Sequence, residues 1–517
     1  MRTNVEAVAQ TLRALPVDML FGLMGNGNLD LIAEMAGRHD CRYIAVRHEN
    51  AAVAAADGYA RAGKEPAIAT VTHGPGLTNA LTALVTAHRA RSPLLLIAGN
   101  ASGYPGRSTQ RLDHRSAVEA LGIPVVSPSP ADDWAAATRH AARMTAKGPV
   151  LLDLPAEAMR SPYGSSARLE TPTGDVPRAP DCGDVGQAAT WLRNGERPLI
   201  IAGRGAVRTG IGPELVELAR RTGAGLGTTL AAKGLFSGVA SDIGIVGGLA
   251  SPTSQRACQG CDVVLVVGAS LNGFTTENGT LLRSAKVIRI DEKSALGATI
   301  PVDLYLVGDA ADVIRKIQML AFDEKRETWI DQVPGKQSTA PDGWPNSLLR
   351  SIDRLLPTDR RVVFDHGDLA NRAIPVFTAH APTQSVFMAD FGSIGLSIPA
   401  AIGCALAAPS SRTVAVVGDG ALMMALGELD TLKRYNVPVL VVALNNGAYG
   451  AEYPHLAALG LSVELARFRT EPITRIASAI GLRCASVTPD SDLAVVESCV
   501  ACVSSPMLLE IQCPLPA

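Results

Sequence analysis

One pattern recurs along this chain: a short aliphatic run, a glycine-rich turn, then a segment of helical period. Each repeat reads as a strand, a tight turn and a covering helix, the unit from which parallel sheets are built. Near the N-terminus the pattern runs through FGLMGNG, ENAAVAAADGYARAG, AIATVTHGPG with TNALTALVTAHRAR, and PLLLIAGN, closing near VLLDLPAEAM. A stretch rich in Pro, Ser, Gly and Thr, from Arg160 to about Gly186, reads as a linker. A second set carries PLIIAGRGA, DVVLVVGASL and KVIRIDEKSALG, followed by a charged, proline-bearing connection from Asp323 to about Asn346. The third holds RVVFDHGD, FGSIGLSIPAAIGCALA, TVAVVGDG, ALMMALGELDTLKRY and VPVLVVALNNGAYG, and ends on the strand MLLEIQCP. The expected architecture is α/β: three doubly wound parallel-sheet domains at 1–165, 187–322 and 346–517. The outer two share the rhythm strand, GxG, helix, strand, and are expected to be alike. The chain stops soon after its last expected strand, so neither a regulatory domain nor a long C-terminal lid is expected.

Composition narrows the class of function. The 47 Lys and Arg against 49 Asp and Glu leave a formal charge of -2, so no global basic field invites nucleic acid or an anionic membrane. With 47% hydrophobic and 19% charged residues, long disorder is not expected. No apolar run approaches ~18 residues without a charge or turn signal, so no membrane-spanning helix is expected. The opening MRTNVEAVAQTLRAL lacks the apolar stretch of an export signal, and a cytoplasmic location follows as an expectation. Aromatic residues are only 4% while glycines number 49, which implies aliphatic cores and close backbone approaches. Cys258/Cys261 and Cys499/Cys502 form two CxxC pairs, but 237 residues separate them without supporting histidine spacing. The nine cysteines therefore read as small buried thiols, not as a zinc site or a disulfide framework.

The strongest chemical signal is Gly418-Asp419-Gly420, with 24 residues between it and Asn445-Asn446. Asp-Gly alone also marks hairpin turns. Here it follows the strand TVAVV and opens a helix, and Asn445-Asn446 ends the next aliphatic strand. Parallel strands would bring both to one C-terminal sheet edge, where α/β folds bind ligands. A carboxylate, an amide oxygen and a loop carbonyl there suit a hard cation such as Mg2+, and the helix N-terminus offers N–H donors to an anion.

GDG, a spacer of this length and NN together resemble the diphosphate motif of thiamine diphosphate (ThDP) enzymes, and NNGAYGAEY resembles benzoylformate decarboxylase and acetolactate synthase relatives. Pyruvate decarboxylase-like enzymes belong to the same family. The resemblance covers nearly the whole chain. It implies pyrimidine-binding, central Rossmann-like and diphosphate-binding domains in that order. It further implies that Asp419, the Asn446 side chain and the Ala448 carbonyl hold Mg2+, with Gly418, Gly420, Ala421, Asn446 and Tyr449 around the cofactor.

Glu49, in VRHENAAVAAADGYAR, precedes an almost wholly apolar helix. Such surroundings raise a carboxyl pKa and suit proton sharing with a weak ring base, while a helix-start glutamate also suits the helix dipole. The segment resembles the one that supplies the activating glutamate in ThDP enzymes. That implies a hydrogen bond from Glu49 to N1' of the aminopyrimidine, promoting loss of the thiazolium C2 proton. In FGSIGLSIPAAIG, the same resemblance makes Ile394 the wedge beneath the cofactor and the Gly392 carbonyl the acceptor for its 4'-amino group.

Substrate selection is carried by fewer residues. Asn26, in LMGNGN, falls where relatives place a substrate-facing Asp, Ser or Gly. His73, in THGPG, stands where acetolactate synthases have serine and some decarboxylases have histidine; it reads either as structural or as a substrate-contacting, proton-transferring group. The AFQE-like segment of acetolactate synthases is nearest to Ser108-Thr109-Gln110-Arg111, which keeps the glutamine and loses the phenylalanine and the acid. Their GQHQ segment is replaced by Gly367-Asp368-Leu369-Ala370, beside His366. The central GRGA and IRIDEKSALG lack a GxGxxG fingerprint, so an empty structural domain is favoured there over FAD.

The implied activity is that of a ThDP- and Mg2+-dependent decarboxylase or carboligase of 2-oxo acids, acetolactate synthase-like, forming a C2-enamine after CO2 loss. The alternatives are a strict acetolactate synthase with FAD in the central domain, or a non-catalytic nucleotide-binding member. The resemblance also implies a homodimer or homotetramer with active sites between subunits.

Overall fold

The computed structural model describes residues 2–63, 66–101, 109–164, 182–292, 298–320, 325–333, 343–468 and 471–515. The expected boundaries at 165 and 322, Ser108 and the stretch 293–297 lie outside these residues. Three six-stranded sheets form. The first contains β1 (Met19–Gly22), β2 (Arg42–Ala45), β3 (Ala67–Val71), β4 (Leu94–Asn100), β5 (Val125–Val126) and β6 (Val150–Pro155), in the order β2-β1-β3-β4-β6-β5. The second contains β7 (Pro198–Ala202), β8 (Gly225–Thr228), β9 (Asp242–Ile245), β10 (Val263–Val267), β11 (Lys286–Asp291) and β12 (Leu304–Val307), in the order β12-β11-β10-β7-β8-β9. The third contains β13 (Arg360–Phe364), β14 (Ser385–Phe387), β15 (Arg412–Gly418), β16 (Val439–Asn445), β17 (Arg483–Val487) and β18 (Met507–Gln512), in the order β14-β13-β15-β16-β18-β17.

The central strands are uninterrupted aliphatic runs, buried along their whole length in β3, β4, β10 and β16. That is the signature of parallel strands covered on both faces, and their neighbours pair in parallel. Counted from its own first strand, the third sheet repeats the strand order of the first, so the outer two folds are alike as expected. The second sheet, read from the other edge, has the order 3-2-1-4-5-6 of a Rossmann fold.

The chain divides into two compact units. One comprises residues 1–172, 354–371 and 386–517, and so holds the first and third sheets; the other comprises 173–353 and 372–385. Within the first unit, one apolar core runs from Phe21, Val53 and Leu84 through Leu396 and Ile402 to Val417 and Val441. Its centre is a helix pair, Glu49–Arg61 against Ser397–Ala407. The helices approach until a Cβ on Gly58 would strike the Ala400 carbonyl, and one on Gly403 the Ala55 carbonyl. Small residues on both facing stripes permit this backbone contact. The eight cysteines whose side chains are described are all unpaired thiols, six of them buried, and burial pushes Cys499 up to about 11 and Cys404 to about 12. Among the described residues, no helix is long and apolar enough to cross a membrane.

Candidate active site

Strands β15 and β16 are parallel neighbours with Gly418 opposite Leu444, so GDG and NN leave the same sheet edge side by side. Asp419 begins the helix Asp419–Met424 and is 3% exposed. The Gly420 amide donates to its Oδ1 and the Gly447 amide to its Oδ2, each at 2.8 Å. Burial pushes this carboxyl above its ordinary range, against hydrogen bonds from the Gly447, Gly420 and Asn446 amides. The two asparagines behave differently. Asn445 is a structural tie: its Nδ2 donates to Oε1 of buried Glu510 at 2.7 Å, and its Oδ1 accepts from the Gly447 amide at 3.1 Å. Asn446 is half-buried at the edge, and its Oδ1 accepts from the Ala448 amide at 3.2 Å. Tyr449 is exposed, with its ring 4.8 Å from that of Phe468; the two rings stand over Gly420, and Ala421 is buried behind it.

The loop Phe391–Leu396 reaches the same sheet from β14. Gly392 has φ +82° with open space where a Cβ would stand, and Ile394 is half-buried against the shared core. What holds the loop is Asp365, at the end of β13. Its Oδ1 accepts from the His366 and Gly395 amides, both at 2.9 Å, and its Oδ2 accepts from the Ser397 amide at 2.8 Å. Complete burial pushes the Asp365 carboxyl above its ordinary range, against those hydrogen bonds. The motifs of the sequence do not point to Asp365; its one signal is an acid that ends a buried aliphatic strand, RVVFD.

At the edge of the first sheet, Glu49 opens its helix with 8% exposure, and Nδ2 of Asn79 donates to its Oε2 at 3.1 Å. Asn26 is exposed on the loop after β1. A Cβ on the next residue, Gly27, would strike Nδ1 of His73, so this loop lies directly on the turn after β3. His73 is buried, and its Nε2 meets Oε1 of Gln110 at 2.7 Å. Asn26, His73 and Gln110 thus gather at one edge.

The structure does not bring all the expected residues together within one chain. Gly58 faces Ala400 and Ala55 faces Gly403, so the two helices run antiparallel, and the Gly392 loop lies beside the Arg61 end. Arg61 Nη1 reaches Asp390 Oδ2 at 2.9 Å, which fixes that end. At 1.5 Å rise per residue, Glu49 is therefore about 18 Å along the helix from the loop. The helix Pro75–Ala90 repeats the measurement. A Cβ on Gly76 would stand 3.6 Å from Glu49 Oε1, whereas Thr86 Oγ1 is 3.4 Å from Ser393 Oγ.

Two like parallel sheets thus carry a buried GDG carboxylate at one edge and a buried glutamate at another. Family models for the thiamine pyrophosphate enzymes match in chain order: the N-terminal TPP binding domain over residues 2–116, the central domain over 185–317, and the C-terminal TPP binding domain over 365–511. The chain belongs to this family and is a ThDP-dependent enzyme.

It is similar to the acetolactate synthase isozyme 3 large subunit of Escherichia coli (strain K12), 29% identical over 485 residues, covering 87% of this chain and 83% of the relative. The acetolactate synthase large subunit of Haemophilus influenzae is 28% identical over 478 residues, with 87% and 83% covered. An acetolactate synthase of Arthrospira platensis is 29% identical over 497 residues, with the same coverage.

Proposed function

We propose that this enzyme uses ThDP and Mg2+ to decarboxylate a 2-oxo acid and to pass the remaining two-electron fragment to a proton or to a second carbonyl, as an acetolactate synthase-like decarboxylase and carboligase. The observation that carries the reading is Asp419: a buried carboxylate whose oxygens accept only backbone amides, with no basic side chain paired to it among the described residues. A divalent cation supplies the missing positive charge, and oxygen donors suit a hard one. Among the described residues no cluster of three His, Cys, Asp or Glu could hold a metal.

Bound ThDP supplies an electron sink for the carbanion left when CO2 departs. The chain supplies the rest. Asp419, Asn446 and Ala448 hold the cation, and the backbone at Gly418, Gly420 and Ala421 receives the diphosphate beside Tyr449. Ile394 supports the ring junction, and the Gly392 carbonyl accepts from the exocyclic amine. Glu49 holds a proton at the pyrimidine N1', and Asn26 and His73 face the substrate.

Glu49 and Gly392 are assigned to one ring, yet about 18 Å of helix separates them in a single chain. We therefore place the site between two copies, with Glu49, Asn26 and His73 from one and the Gly392 loop and Asp419 from the other. The assembly is a homodimer or homotetramer, and each copy keeps the three-domain division at 1–165, 187–322 and 346–517. Purified enzyme offered a panel of 2-oxo acids, with and without ThDP and Mg2+, tests the reading by mass spectrometry. Cofactor-dependent CO2 release with aldehyde or acyloin products is expected; no release from any acid overturns it.

A further inference from the structure

Behind the His73 turn lies a second histidine that the proposed chemistry does not use. His114 is 1% exposed, at the start of the helix His114–Glu119. Its Nε2 accepts from the Gly74 amide at 3.1 Å, and its Nδ1 meets Oδ1 of Asp153 at 2.8 Å. A ring nitrogen that accepts from an amide must carry a lone pair, so the proton sits on Nδ1 and is donated to Asp153. Asp153 is itself buried, at the end region of β6; its Oδ2 accepts from Asn100 Nδ2 at 2.6 Å and from Ser127 Oγ at 3.4 Å.

The Gly74 amide belongs to the His73–Gly74 peptide, so this bond fixes the backbone that carries the His73 ring. The peptide needs fixing: Gly74 has φ +59°, and a Cβ there would strike the Gln110 carbonyl. On the other side, the Gln110 side-chain oxygen accepts from His73 Nε2. The two histidines therefore hold opposite tautomers across one peptide: His114 is protonated on Nδ1, His73 on Nε2.

We propose that His114 is a positioning residue for His73, acting through the Gly74 amide, with Asp153 keeping it in the accepting tautomer. The part of this that concerns turnover rests on the substrate-facing reading of His73; the tautomers and the coupling do not.

The test is ¹⁵N-histidine NMR on the full-length protein together with steady-state kinetics, the His73 and His114 signals being assigned with His73→Gln and His114→Gln. The wild-type spectrum should contain His114 as the Nδ1–H form and His73 as the Nε2–H form. His114→Leu should shift the His73 ring nitrogens and lower kcat by roughly 10- to 100-fold, the scale of a small misplacement of a catalytic group. His114→Gln, whose amide can accept from Gly74 and donate to Asp153, should bring kcat back to within about threefold of wild type. His114 found as the Nε2–H form or as imidazolium in the wild type overturns the proposal without any variant, which covers the case of a leucine variant that does not fold. Unmoved His73 signals in a folded His114→Leu also overturn it. If the wild type turns over no 2-oxo acid, the functional reading fails, and the spectra alone decide the positioning role.

Discussion

The Gly447 amide donates to Oδ2 of Asp419 at 2.8 Å, joining the two halves of a motif that lie 28 residues apart in the chain. This bond makes the carboxylate a brace for the NN loop before any ligand is considered. Asp419→Asn should disturb both roles. One of its two oxygens becomes an NH2 group facing a backbone N–H, a mismatch that costs about 1–3 kcal/mol, and the cation loses its anionic donor. Calorimetry should register a fall of about 100-fold or more in Mg2+-dependent ThDP affinity. Wild-type affinity in the variant would contradict the site.

Glu49→Ala leaves the other sheet edge untouched, so ThDP should bind nearly as in the wild type. Deuterium exchange at the cofactor C2–H should slow by about 100-fold or more, as expected for loss of a positioned proton carrier. An unchanged exchange rate would remove Glu49 from the mechanism.

If each site is built from two copies, Glu49→Ala and Asp419→Ala should complement one another. Equal amounts unfolded and reassembled together should recover about a quarter of wild-type activity, because half the dimers are mixed and one of their two symmetric sites is intact. Activity no higher than that of either variant alone would place Glu49 and Asp419 in one chain's site.

Asp365 makes a prediction with a sign in pH. Its folded-state pKa lies above the ordinary 3.8, chiefly because it is buried, so the folded form binds more protons than the unfolded form over the window just above 3.8. Its contribution is therefore most favourable in acid and declines as pH rises through that window. The stability difference between wild type and Asp365→Asn, measured by denaturant titration at several pH values from 4 to 7, should shrink as pH rises. A difference that grows with pH would reverse the assignment.

The helix pair at the centre of the shared core predicts a contrast between alanine substitutions. Gly403→Ala puts a Cβ into the Ala55 carbonyl and should destabilise by about 1–3 kcal/mol or more. Gly37→Ala, in the helix Leu29–Arg38 with nothing near its Cβ position, should stabilise by about 0.5–1 kcal/mol. Thermal melts of both variants test the pair together.

Much of the fold was legible along the chain. Buried parallel strands need aliphatic side chains on both faces, and the turns after them favour glycine or asparagine, so β10 and β16 announce themselves as continuous aliphatic runs, the first followed at once by Gly268 and the second ending on Asn445. GDG and NN were legible for the same reason, since each sits where its own strand ends and adjacent parallel strands must share an edge. The residues that brace the site were not. Asp365 and His114 act on backbone amides 30 and 40 positions away, and a bond to an amide leaves no mark on the identity of the residue that donates it.

The amino-acid order by itself determined that there would be parallel sheets with a carboxylate at one edge and a helix-start glutamate at another, because period, turn chemistry and local charge are properties of short segments. Only the tertiary structure decided which ends meet. Gly58 and Gly403 let two helices touch backbone to backbone in antiparallel register, and that contact sends Glu49 to the far end from the Gly392 loop. Helix direction at a packing interface depends on the complementary stripe of another helix more than 300 residues away, which neither segment encodes alone.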